Sequence, residues 1–95
     1  MDFVTHADLT GRLRGLVILL ADDLTSEQAA LIDELIDASE FGLALETLSD
    51  WLAEHRTPIP EDLRVDFARL ASQMDISDRV MGSLSRCPLV NDGLN

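Results

Sequence analysis

The stretch FGLALETLSDWLAE, residues 41–54, decides the fold class. Phe41, Ala44, Leu45, Leu48 and Leu52 recur at three- and four-residue spacing, which aligns them on one face of a helix. A half-buried strand would instead alternate apolar and polar residues, and this stretch does not. Glu46, Asp50 and Glu54 recur every fourth residue, directly across the helix from Phe41 and Leu48. Trp51 falls on the flank between the two faces, and Leu43 lies on the acidic side beside Glu46, Thr47 and Asp50. A helix patterned in this way is stable only when other elements cover its apolar face.

The flanking sequence supplies such elements. Upstream, Leu9, Leu13, Leu16, Val17, Leu20 and Leu24 form a stripe at helical spacing that predicts a helix over 8–22. Ile18 and Leu19 lie off this stripe, so the middle of the helix is apolar nearly all round, a pattern that predicts a position at the centre of a bundle. Thr25-Ser26-Glu27-Gln28 has the spacing of a capping box, which starts a second helix over 26–38 with Ala29, Ile32, Leu35 and Ile36 inward. Ser39-Glu40-Phe41-Gly42 interrupts it, and Gly42 suggests a tight corner before the third helix.

Downstream, Thr57-Pro58-Ile59-Pro60 is a linker, because two prolines cannot continue a helix. Pro60 suits the first position of a fourth helix over 60–74, with Glu61 and Asp62 beside its positive N-terminal dipole. Leu63, Phe67, Leu70, Ala71 and Met74 give that helix its inner stripe. Asp75 is placed to cap a short fifth helix over 76–86, in which Ile76, Val80 and Leu84 are four apart, and 87–95 reads as a loose tail after Pro88. The expectation is an all-α fold, a compact bundle of four to five short helices in a single domain over 1–95, without internal repeats.

Composition agrees. The chain has 95 residues, 46% of them hydrophobic, enough for one modest core but not for two. Aromatics are three Phe and one Trp, so the core must be built from Leu, Ile, Val and Ala. A lone Cys87 rules out a disulfide framework. The longest apolar run, Leu16 to Ala21, falls far short of the ~20 residues that span a bilayer, and neither an export signal nor a lipidation motif is evident. The expected location is the cytoplasm, without membrane contact.

Motifs that carry chemistry are missing. His6 and His55 lie in different segments without metal-ligand spacing, and Cys87 has no CxxC partner. Asp22-Asp23 lacks the glycine and terminal glutamate of an EF-hand loop, and reads as acids at a helix end. Neither a phosphate-binding glycine loop nor a nucleophile elbow occurs. Acid–base work by one of the many carboxylates would need a cleft, for which a small helical bundle has little room. The chain is therefore expected to be neither an enzyme nor a cofactor-binding or metal-binding protein.

Charge is the informative feature. Eighteen acids against seven bases, all of them Arg, give a net charge of −11, which argues against direct nucleic-acid binding and favours a basic protein partner. Between Arg14 and Arg56 lie ten acids and not one base. On the second helix Glu27, Glu34 and Asp37 point away from Ile32, with Asp33 on the flank; with Glu40 and the acids of the third helix they predict a negative surface across two helices. Like charges at four-residue spacing repel by a few tenths of a kcal/mol per pair, a cost that interleaved bases would remove. The plainer account is an acidic solvated face that keeps a small protein soluble. Trp51 reads either as a binding anchor at the rim of this surface or as half-buried core, and Leu43 as a second apolar anchor.

The core Glu40-Phe41-Gly42-Leu43-Ala44-Leu45-Glu46, followed by Leu48 and Leu52 within the segment from Glu34 to Glu54, resembles the MafI-type immunity proteins. These small helical proteins accompany bacterial polymorphic toxins, including effectors of contact-dependent growth inhibition, and protect the producing cell by binding a C-terminal toxin domain in the cytosol. The resemblance covers about a quarter of the chain. It implies a 1:1 complex with a cognate basic toxin domain, a nuclease and for preference an RNase, whose active-site region the acidic helices would cover. The residues expected to make this contact, from the placement of the charges, are Glu34, Asp37, Glu40, Glu46, Asp50 and Glu54, with Trp51 and Leu43 as apolar anchors. The alternative from the residues alone is an acidic adaptor or antitoxin-like module that docks a partner's helix in a groove of its own.

Overall fold

The computed structural model describes residues 5–89, and helices dominate it. Five α-helices follow one another: α1 (His6–Leu19), α2 (Ser26–Asp37), α3 (Phe41–Glu54), α4 (Glu61–Gln73) and α5 (Ser77–Leu84), with a single 3₁₀ turn at Ala21–Asp23 between α1 and α2. The fold is an all-α bundle. Among the described residues, Ile59 and Leu89 form an isolated parallel bridge.

The apolar stripes face inward. Leu13, Leu16, Val17, Leu20, Ile32, Ile36, Leu45, Leu48, Leu52, Phe67, Leu70, Val80 and Leu84 form one continuous core, with Leu9, Leu24, Ala29, Leu35 and Met74 packed at its edge. The helix at the centre is α3, which packs against all four others. Its buried side is broader than the stripe read from sequence, for Ser49 and Ala53 are buried along with Phe41, Ala44, Leu45, Leu48 and Leu52. Both are small, and this lets α5 lie against α3; the Ser49 hydroxyl, out of reach of water, donates to the Glu46 carbonyl at 2.9 Å.

The central position expected for α1 is wrong. Ile18 and Leu19 are 74% and 67% exposed, so α1 lies at the edge of the bundle with only its original stripe inward. An apolar helix back reads in sequence as burial, and here the back is apolar and left open.

Helix ends obey local chemistry, in one case as read and in three by another route. The capping box at α2 is formed: Gln28 N donates to Thr25 Oγ1 and Thr25 N to Gln28 Oε1, each at 3.0 Å. The C-termini of α2, α3 and α4 all close in the same way, by a residue with positive φ: Ser39 (63°), Arg56 (49°) and Asp75 (60°). At each, the next residue's N–H reaches back five residues, Glu40 to Leu35 O, Thr57 to Leu52 O and Ile76 to Ala71 O, at 2.8–2.9 Å. The left-handed residue's own N–H binds Ile36 O, Ala53 O or Ser72 O. These are Schellman closures without glycine. The corner before α3 therefore turns on Ser39; Gly42 lies inside the helix, where an added Cβ would find only Ile76 Cδ1 at 3.8 Å. Asp75 does not cap α5: it occupies the left-handed position, and Ile76 stands at the N-cap without a side-chain bond.

The expected tail is also partly built. Cys87 is buried, and Ile59 N donates to Pro88 O at 3.0 Å. Arg64 of α4 donates from Nη1 to Leu84 O and from Nη2 to Cys87 O, each at 2.9 Å, closing the C-terminus of α5. Burial pushes the Cys87 thiol pKa up, against the opposing pull of the Arg64 charge, so the group is a poor nucleophile at neutral pH. Residues 90–95 of that expected tail lie outside the described residues.

Two expectations follow. Leu45→Ala or Leu48→Ala, each removing a fully buried side chain of α3, should cost about 2–5 kcal/mol in urea unfolding; a cost under about 1 kcal/mol at both would contradict the placement of α3. Ser39→Gly, Arg56→Gly and Asp75→Gly should each stabilise by up to about 1 kcal/mol, because glycine carries no steric penalty at positive φ. Lower melting temperatures in all three variants would contradict those closures.

Candidate functional site

The residues singled out in sequence lie on α2, on the corner that follows it and on α3. α2 turns Ile32 and Ile36 into the core, which leaves Glu27, Glu34 and Asp37 exposed and Asp33 half-buried. Glu40, at the N-cap of α3, is exposed, as is Glu54 in the last turn of that helix. Leu43 is 48% exposed. Trp51 is half-buried and packs against the core. Both readings of this residue thus keep part of their ground: one side of the indole is core and the other meets solvent.

The expected ridge of Glu46, Asp50 and Glu54 is not uniform. Helix α5 runs along the edge of α3 marked by Gly42, Glu46 and Asp50: Ile76 lies against Gly42, and the Asp50 carboxylate accepts from two α5 side chains. Ser83 Oγ donates to its Oδ1 at 2.8 Å and Arg79 Nη2 to its Oδ2 at 2.6 Å. Glu46 is half-buried on the same edge. Asp50, Trp51 and Glu54 line one shallow recess with Thr47, and Arg86 forms its far wall.

The stretch from Arg14 to Arg56 is therefore less bare of positive charge than its sequence. Arg14 reaches across from α1 to bind the Asp37 carboxylate, with Asp33 at 3.9 Å from its other nitrogen. Arg79 pairs with Asp50 from α5. Among the described residues, the ion pairs do not include Glu27, Glu34, Glu40, Glu46 or Glu54. These five glutamates, with Leu43 and Trp51 near the last ones, make up the uncompensated part of the surface.

Arg79, Ser83 and Arg86 were not found by reasoning from sequence. Arg79 and Ser83 lie 29 and 33 residues from Asp50, and such pairings leave no local pattern. A signal did exist: the two are four apart beside the Ile76-Val80-Leu84 stripe, so α5 carries a polar edge next to its buried one.

Among the described residues no group of three His, Cys, Asp or Glu could hold a cation. His6 is occupied otherwise. Its Nε2 lies 2.7 Å from Ser39 Oγ and its ring meets Phe41 edge-on at 5.0 Å, which ties the start of α1 to the α2–α3 corner.

Asp50 and Glu54 should consequently differ in what they do for the fold. Asp50→Ala strips a partner from a buried serine hydroxyl and from Arg79, and should cost about 1–2 kcal/mol in urea unfolding. Glu54→Ala should stay within about 0.5 kcal/mol of the parent. Equal effects would remove the distinction between an engaged and a free acid.

Comparison of the chain with family models, with curated proteins and with solved structures finds no match in any of the three.

Proposed function

We propose that the protein is an immunity protein, which binds a cognate basic toxin domain and neutralises it by covering its active-site region. The observation that carries this reading is the run of exposed or half-exposed glutamates on α2, the corner and α3 (Glu27, Glu34, Glu40, Glu46 and Glu54) that do not pair with any described base. Acids left without counter-charges repel one another and lower stability, a cost that makes sense where an external cation removes it. The resemblance of the segment from Glu34 to Glu54 to MafI-type proteins points the same way.

A nuclease is the fitting toxin class, with RNase preferred over DNase. An enzyme that grips phosphates is basic around its cleft, and carboxylates can stand there in place of the phosphates. Inhibition of this kind is steric and electrostatic and needs neither cofactor nor catalytic group. Glu34, Glu40 and Glu54 supply free charge, while Asp37 and Asp50 act through the geometry that Arg14 and Arg79 impose on them. Leu43 and the open side of Trp51 supply apolar anchor area, where interface energy concentrates. An acidic adaptor that docks a partner helix is the second reading; what favours it is the open groove between α1 and α4.

The test uses the toxin domain encoded next to this protein's gene. Glu34→Gln, Glu40→Gln and Glu54→Gln combined should leave the melting temperature unchanged or slightly raised. The same variant should associate about tenfold more slowly in stopped flow at ~0.1 M salt, with the gap to the parent closing towards 1 M as the Debye length falls from ~10 to ~3 Å. Parental association rates and full protection of cells by the variant would overturn the acidic-face reading.

A further inference from the structure

The two most exposed large apolar side chains of the described chain, Ile18 and Leu19, are neighbours on the outer face of α1. Leu19, Gly15 and Leu16 form one wall of an open groove of ≈ 260 Å³, and Asp66, Arg69 and Leu70 of α4 form the other. Leu16 and Leu70 are buried, so the groove has an apolar floor. Nothing comes within 4 Å of the place a Cβ would take on Gly15, so the wall is open to the α1 backbone itself. An exposed leucine standing beside a groove with an apolar floor is a feature that a second copy of the same face can complete.

Charge selects that occupant. The chain carries −11, and over α2 and α3 two copies can only repel. The rim of the α1–α4 groove carries both signs: Arg12 on α1, and Arg69 and Asp66 three residues apart on α4. Arg12 reaches Gln73 Oε1 at 3.4 Å, and the ion pairs among the described residues include neither Arg12 nor Arg69. A basic partner would meet Arg12 and Arg69, and a uniformly acidic one would meet Asp66 and the field of the whole chain. A partner with one Asp and one Arg at matching positions satisfies both, and across a two-fold axis this chain presents that set to itself.

We infer that the α1–α4 groove is a self-association surface, in which Leu19 of each copy enters the other's groove and Asp66 of one faces Arg69 of the other. None of its residues belongs to the acidic set on α2 and α3, so the inference does not depend on the toxin reading. It predicts one toxin per copy in a two-to-two complex if that reading holds.

Sedimentation velocity on the full chain across roughly 1–500 µM decides it. The weight-average mass should rise from 10.5 kDa towards twice that value. Leu19→Glu, at a site open enough to leave the helical circular dichroism unchanged, should weaken the dimer roughly tenfold or more. Asp66→Arg alone should weaken it, and Asp66→Arg with Arg69→Asp should restore it, because the swapped pair meets its own mirror across the axis. A chain that stays at 10.5 kDa throughout overturns the inference, and so does a dimer that Leu19→Glu leaves intact or that the double swap fails to rescue.

Discussion

The enclosure of α3 is the constraint from which the rest follows. A helix packed by four others has little perimeter left for water, and every polar group on it must either find a partner inside the bundle or hold a narrow exposed strip. Ser49 takes the first course by bonding to its own helix, and Asp50 by bonding to α5. Glu54 takes the second, beside the exposed Leu43. Helix α5 packs on α3 along the edge of Gly42 and Asp50, where Ile76, Arg79 and Ser83 meet it. The sorting of the α3 acids into engaged and free thus follows from packing.

Most of the helical architecture was legible because burial imposes a period. Each inner stripe, from Leu13-Leu16-Val17-Leu20 to Val80-Leu84, is inward in the bundle. The misreadings fall where the deciding force has no local signature. Ile18 and Leu19 are apolar whether they are covered or not, so periodicity cannot tell a central helix from an edge helix with an open apolar back. The three left-handed closures at Ser39, Arg56 and Asp75 were missed because sequence reading looks for glycine there. Once the backbone bonds between residues five apart are made, the helix end holds a side chain at positive φ. The engaged state of Asp50 was missed for a third reason: its partners are distant in sequence and adjacent only through the fold.

The candidate surface shows the same division. That the acids of α2 lie opposite Ile32 is a consequence of helical geometry, and their exposure could be read directly. Which acids are neutralised could not. Exposed ion pairs such as Arg14–Asp37 and Arg79–Asp50 add little to stability individually. Their effect is on the shape of the field: they quench negative charge at the α1–α2 and α3–α5 seams and leave it at Glu27, Glu34, Glu40, Glu46 and Glu54. A count of charges along the chain treats all ten acids alike, whereas in the folded chain Asp33, Asp37 and Asp50 face an arginine and the other seven do not.

Two faces of one small bundle carry unbalanced features of opposite kinds, and each limits what the other can accept. The glutamates of α2 and α3 cost stability through mutual repulsion, and they drive away other copies of the chain. Beside the α1–α4 groove Ile18 and Leu19 stand exposed, and its lining brings Arg12 and Arg69 together. A −11 chain that used only the acidic face would gain by replacing Ile18 and Leu19 with polar residues, since nothing inside the bundle needs them. A chain that used only the groove would gain by interleaving bases among the glutamates. On the two proposals, keeping both would serve two contacts that relieve different strains: a basic partner that removes the repulsion, and a second copy that covers the groove.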